Sequence, residues 1–159
     1  MIIFLALGSN VGDKTSNIEK AIDLLGAKVS QIVSAPLYES KAVGYLNQDN
    51  FINTAIRGET DLTPGELLAF IKGVEHDVGR VERFRWGPRE IDIDIIFFGR
   101  EQYNEENLSI PHSHYRERDF VLQPLIDIDK NLRDPTDNVL LSDIYERLDQ
   151  SQLSIFNKL

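Results

Sequence analysis

Apolar residues run unbroken from Ile2 to Leu7 and stop at Gly8-Ser9-Asn10, the pattern of a buried strand. Ile18, Ala21, Ile22 and Leu25 then recur at helical spacing, with Gly26 as a stop. Strand formers return between Val29 and Tyr38, where Pro36 suggests an edge or a bulge. Residues 39–50 are polar and glycine-bearing and read as a loop. Strict alternation from Phe51 to Thr60 predicts a strand, with Phe51, Asn53, Ala55 and Arg57 on one face and Ile52, Thr54 and Ile56 on the other. Thr63-Pro64-Gly65-Glu66 is a capping box with proline at the first helical position, and Leu67, Leu68, Ile71, Val74 and Val78 carry that helix to Gly79. A β-branched run from Ile91 to Phe98 is the next strand. A turn at Gly99 follows, with edge pairing expected at Tyr103 and Leu108–Ile110, then helices over Phe120–Ile126 and Leu140–Leu148.

The order β-α-β-β-α-β with further helices predicts an α+β protein: a ferredoxin-like βαββαβ antiparallel sheet with additional C-terminal helices. Repeats, low-complexity runs and Gly/Ser linkers are absent, so residues 1–159 read as a single domain. That fold hosts enzymes, RNA binders and regulatory modules, so function must come from the site.

The chemistry concentrates between Arg80 and Ile96. In a strand, Asp92 and Asp94 share one face while Ile91, Ile93 and Ile95 point to the other, which puts the two aspartate Cα atoms about 6.6 Å apart. Two like charges at that spacing are costly unless they are well solvated or share a cation, and Mg²⁺ suits one or two carboxylates plus substrate phosphates. Arg80, Arg83, Arg85 and Arg89 lie just before them, in a loop framed by Gly79, Gly87 and Pro88. Arginine forks match phosphate oxygens, and a mobile loop with fixed ends suits a closing lid. The bland alternatives are solvated strand aspartates and a solvated basic turn.

A decoy lies upstream. Gly8-Ser9-Asn10-Val11-Gly12-Asp13-Lys14-Thr15 imitates a phosphate-binding P-loop, but its glycine spacing is short and Asp13 separates Gly12 from Lys14. A strand end turning into a helix N-terminus is the better reading. The net charge of −9 and pI of about 4.8 argue against broad nucleic-acid or anionic-membrane binding. The absence of cysteine fits a reducing cytoplasm, and no apolar run approaches the length of a membrane span.

These residues resemble a known family. Arg85-x-Gly87-Pro88-Arg89-x-x-Asp92-Ile93-Asp94-Ile95-Ile96 is similar to the signature of 6-hydroxymethyl-7,8-dihydropterin pyrophosphokinase, a folate-pathway enzyme. Ala6-Leu7-Gly8-Ser9-Asn10, Tyr38-Glu39-Ser40, Phe51-Ile52-Asn53, Glu75 through Arg80, Ile110-Pro111-His112 and Arg118-x-Phe120-Val121-Leu122-x-Pro124-Leu125 extend the resemblance over nearly the whole chain, in the family's order. It implies Mg²⁺-dependent transfer of pyrophosphate from ATP to the pterin hydroxymethyl group, releasing AMP.

By that resemblance Asp92 and Asp94 would ligate two Mg²⁺ ions bound with ATP. Arg80, Arg89, His112 and Arg118 would be catalytic. Glu75, Arg83, Trp86, Arg89, Ile95, Ser109, His112 and Arg118 would lie on the ATP side. Ser40, Val43, Phe51, Asn53, Asp92 and Phe120 would hold the pterin, with Phe51 and Phe120 stacking on its faces. Three positions depart from the family's pattern: Glu82 replaces a second loop arginine, leaving Arg83 one position late; Lys41 and Ser113 stand where proline is common. ATP and the pterin are the expected partners of a cytoplasmic monomer, a weak dimer being the alternative. The competing functional reading is a non-catalytic ferredoxin-like module that binds a nucleotide or pterin.

Overall fold

The computed structural model describes residues 1–42 and 47–159. Its strands and helices follow in the order β1 (Ile2–Ser9), α1 (Lys14–Leu25), β2 (Ser30–Ser34), β3 (Tyr38–Ser40), β4 (Phe51–Glu59), α2 (Pro64–Val78), β5 (Asp92–Phe98), β6 (Tyr103–Glu105), β7 (Leu108–Ile110), α3 (Asp119–Ile128), α4 (Leu141–Glu146) and β8 (Ile155–Lys158). The main sheet runs β5-β1-β4-β3-β8, with β2 also paired to β4, and every pairing in it is antiparallel. The fold is mixed α/β. Among the described residues, no helix is long and apolar enough to cross a membrane.

The sheet is buried on both faces, which is why β1 reads as a continuous apolar run. Ile3, Leu5 and Leu7 face α1 and α2, packing with Ile18, Leu25, Leu67, Ile71 and Val74. Phe4 and Ala6 face α3 and α4, packing with Phe97, Leu122, Leu125 and Ile144. Leu5 pairs with Ile95 and Phe4 with Phe97, so Ile96 is the extra residue of a β-bulge. The bulge sends Ile96 to the α3 side, while Ile91, Ile93, Ile95 and Phe98 stay on the α1/α2 side.

The capping box is present as expected: Thr63 Oγ1 accepts from Glu66 N at 3.2 Å and Thr63 N donates to Glu66 Oε1 at 2.9 Å. Gly79 ends α2 at φ 116°, in the left-handed region that favours glycine. The P-loop imitation resolves into the end of β1 and a helix start, with Asp13 as N-cap accepting from Ser16 N.

Several expectations change. The strand formers between Val29 and Tyr38 divide into β2 and β3, broken at Ala35–Leu37, and β3 continues to Ser40, inside the stretch expected to be loop. Strands β6 and β7 pair with each other as a separate hairpin rather than extending the main sheet. The last expected helix shortens to Leu141–Glu146. Strand β8 had no periodic signature, and it pairs with β3.

Candidate functional site

The α3 face of the sheet opens into a cleft where β1 ends, β4 begins and β5 begins. Registration makes two rungs across it: Asn53–Gly8–Asp92 and Ala55–Ala6–Asp94. Each rung has a small central residue, so the floor stays low between taller side chains. A Cβ at Gly8 would lie 3.3 Å from Asn53 Nδ2 and 3.5 Å from Phe51. The cleft encloses about 700 Å³ including its open mouth, and Phe51, Asn53, Lys41, Trp86, Phe120 and Arg118 stand around it with the two aspartates.

Charge in the cleft is unevenly matched. Asp92 Oδ2 lies 3.1 Å from Arg89, and Oδ1 lies 3.7 Å from Arg80. Asp94 has His112 Nε2 at 3.9 Å. Burial and then the Arg118 charge lower the imidazole to about 4, so His112 is neutral near pH 7. Burial, followed by the Asp92 charge, raises Asp94 to about 8. Asp92 is thus closely paired with arginine, while Asp94 is biased toward keeping a proton, with the Arg118 and Arg89 charges pulling the other way. A cation with phosphate oxygens would displace that proton, and a hard divalent ion fits this oxygen donor set.

Glu75 is a buried residue of α2 placed behind β5, on the core side. Its Oε2 accepts from Ile93 N at 2.8 Å and its Oε1 pairs with Arg80 at 3.0 Å. Burial raises its pKa while the Ile93 amide pulls the other way. Glu75 therefore fixes the start of the carboxylate strand and aims Arg80 at Asp92, a role the sequence left undefined.

The loop between α2 and β5 is tied at both ends. Arg83 forms a two-pronged pair with Glu90 at 2.9 and 2.8 Å. That bond is the main reason Glu90 falls to about 2. Arg83 thus faces the base of its own loop, outside the cleft lining. Trp86 has a φ of 65° and stands in the cleft wall, with Arg85 and Arg118 against its ring at 5.1 and 5.6 Å. Arg118 also lies 5.8 Å from the Phe120 ring, joining the Trp86 loop to the aromatic wall.

Sequence reading missed Asn10. This buried residue accepts from Arg89 N through Oδ1 at 2.8 Å, and its Nδ2 donates to Gln48 Oε1 and the Asp49 carbonyl at 2.8 and 3.1 Å. Gln48 in turn donates to the Trp86 carbonyl. Three loops therefore meet at one amide. The sequence hint was an asparagine closing an apolar strand, where a side chain can bond neighbouring backbone.

Of the expected site residues, Phe51, Asn53, Trp86, Arg89, Asp92, Asp94, Arg118 and Phe120 line the cleft. Arg80 and His112 reach its carboxylates. Ser40 sits one rung back and donates to Asn53 Oδ1 at 3.0 Å. Ile95 is buried on the α1/α2 side, and Ser109 is exposed on β7. Val43 lies outside the described residues.

The antiparallel α/β fold and its cleft define a class: an α/β protein with an aromatic-walled pocket and a charged rim on one sheet face. The model of the 7,8-dihydro-6-hydroxymethylpterin-pyrophosphokinase (HPPK) family matches residues 4–130, and the chain belongs to that family. It is 47% identical over 133 residues to the 2-amino-4-hydroxy-6-hydroxymethyldihydropteridine pyrophosphokinase of Aquifex aeolicus, covering 84% of this chain and 83% of that protein. It is 41% identical to the enzyme of the same name from Bacillus subtilis, covering 80% and 77%. Among solved structures, Plasmodium falciparum HPPK-DHPS with pterin and p-hydroxybenzoate superimposes with a TM-score of 0.70 at 18% identity, over 92% of this chain and 41% of that one. That last likeness concerns the fold.

Proposed function

We propose that this protein transfers pyrophosphate from ATP to 6-hydroxymethyl-7,8-dihydropterin, giving AMP and the pterin diphosphate, with the cleft as its active site. The observation that carries this reading is the Asn53–Gly8–Asp92 rung, which sets a polar anchor and a carboxylate on either side of a flat, open floor. Family membership supports the reaction.

The pterin ring would lie between Phe51 and Phe120, since a flat heterobicycle gains from aromatic faces and a few fixed polar partners. Asn53, held by Ser40, would read its edge. Asp92 and Asp94 would hold two Mg²⁺ ions bound with the nucleotide, which would neutralise phosphate charge and align the attacking oxygen. The pterin hydroxyl oxygen forms a bond to the β-phosphorus as the bridge to the α-phosphate breaks. AMP leaves with the bridging oxygen, and the hydroxyl proton passes to solvent or phosphate.

Arg80, Arg89 and Arg118 would exchange carboxylate and aromatic partners for phosphate oxygens, and neutral His112 would hydrogen-bond the chain. Trp86 would close over the nucleotide. Arg83 would join only after releasing Glu90. A transfer of this kind needs alignment and charge neutralisation more than a strong base. The strand order β5-β1-β4 with β2 beyond β4 supports naming the core ferredoxin-like, all of it one domain.

The test is product analysis with ATP, Mg²⁺ and the pterin. AMP formed in step with the pterin diphosphate is expected. ADP, or nucleotide turnover indifferent to pterin, refutes the reading.

A further inference from the structure

Asp119 is a charged residue with 1% exposure, at the first position of α3 between two cleft-lining residues, Arg118 and Phe120. Asp119 is not itself one of the side chains lining the cleft. Instead Oδ1 accepts from Ser154 Oγ at 2.6 Å, and Oδ2 accepts from Ser154 N at 2.7 Å and Ile155 N at 2.8 Å. These donors open β8, the strand that lies past residue 130, where the family match ends.

Strand β8 runs antiparallel to β3, with Ser40 opposite Ile155. The Ser154 carbonyl accepts from Lys41 N at 3.0 Å. Lys41 lines the cleft, and Ser40 orients Asn53. A continuous chain of bonds therefore runs Asp119–Ser154–Lys41–Ser40–Asn53. It joins the helix that presents Phe120 to the strand that flanks Phe51. Burying a carboxylate is costly unless its lone pairs are met, and here three short donors from one segment meet them. An apolar residue would pack α3 without tethering anything, so the charge has a specific use.

We propose that Asp119 is a positioning residue that sets the separation of the two cleft walls, by docking β8 onto β3 and so holding the Ser40–Lys41 turn against Asn53. This rests on the pterin reading of the cleft. It concerns mainly the pterin side, since Arg80, Arg89 and the start of the carboxylate strand are held from Glu75 and Asn10.

The test uses the full chain with Asp119→Asn and, separately, Ser154→Ala. Asparagine is isosteric but turns an N–H toward donors. Pterin and Mg²⁺-ATP-analogue binding are titrated by the fluorescence of Trp86, the only tryptophan, and amide exchange is followed at Lys41. Asp119→Asn is expected to weaken pterin binding about tenfold or more, with nucleotide binding within about twofold and faster exchange at Lys41; tenfold corresponds to about 1.4 kcal/mol. Ser154→Ala, which keeps both backbone donors, should lose about two- to fivefold for pterin.

Unchanged pterin affinity in folded Asp119→Asn overturns the proposal, as does an equal fall in both affinities, which would mean general loosening. If Asp119→Asn does not fold, unchanged pterin affinity in Ser154→Ala overturns it. Failure of the parent protein to bind pterin would instead refute the functional reading, while unaltered Lys41 exchange in either variant refutes the tether itself.

Discussion

Replacing Asp94 by asparagine should destroy turnover and yet stabilise the metal-free protein. The folded structure raises this carboxyl from an ordinary 3.8 to about 8, by burial first and by the Asp92 charge second. Between those values the folded state holds more protons than the unfolded chain, so stability falls as pH rises through that window. By pH 7 the part of this displacement above 3.8 corresponds to about 4 kcal/mol against folding, at about 1.36 kcal/mol per unit. The side chain is 32% exposed, and water there screens the repulsion, leaving about 1–2 kcal/mol. Asparagine keeps the shape and removes the charge. Melting in the presence of a chelator should therefore rise by about 2–8 °C at pH 7–8. The gain should shrink toward zero as pH falls below about 3, where the parent carboxyl is largely protonated in both states. Excess Mg²⁺ and nucleotide should reverse the order by stabilising only the parent. An asparagine variant that melts no higher than the parent at pH 8, or whose gain is the same at pH 4 and pH 8, would refute the reasoning. So would retained activity.

The floor of the cleft gives a second outcome: Gly8→Val places methyl groups against Asn53 and Phe51, where a bare Cβ already lies at 3.3 and 3.5 Å. Titration should show pterin affinity down by about tenfold or more, about 1.4 kcal/mol, and nucleotide affinity little changed. Asn10→Ala removes the amide on which three loops meet and leaves the Arg89 N–H without its side-chain acceptor. It should cost about 1–3 kcal/mol in denaturant unfolding and lower kcat as Arg89 drifts. Glu90→Gln releases Arg83 from its half-exposed pair. Because that carboxyl lies at about 2 when folded, the pair's contribution is full above the ordinary carboxylate range and is lost as pH falls from there through about 2. Stopped-flow with Trp86 as reporter should show faster lid motion in this variant, with a melting temperature within about 1 °C of the parent, since exposed pairs stabilise little.

Much of the frame was legible because local chemistry and tertiary structure agree. The unbroken Ile2–Leu7 run, the Thr63 box and the alternation after Phe51 each needed only their own neighbours to be read. Strand β8 was not legible: residues 155–158 carry no periodicity, and they are a strand because Asp119 and the β3 edge receive them. The bulge at Ile96 was hidden for a similar reason, since it is a mismatch between two strands and neither sequence alone records it. In the cleft, the expected residues that line it include the types that advertise charge: the two aspartates, Arg89 and Arg118. The low floor of Ala6, Gly8 and Ala55 was missed, because what those residues contribute is the space they leave. Arg83 shows the converse, since its two-pronged bond to Glu90 is a contact that the basic loop sequence does not announce.

The division of labour between strand and loop follows from what each carries. Asp92 and Asp94 sit on a strand paired along β1 and held from behind by Glu75, so their spacing cannot relax to lower the repulsion between them. The arginines that offset this charge sit at or beyond the ends of a loop, where they can be withdrawn. Arg80 and Arg89 pair with Asp92, whereas the near partner of Asp94 is a neutral imidazole. A polyphosphate arriving with its cations would reverse both conditions together: the cations would satisfy the carboxylates, and the phosphates would claim the arginines. Fixing the acidic half and freeing the basic half makes the charges balance best when the ligand is present. On the proposed function, loop closure would thereby be tied to nucleotide entry by electrostatics.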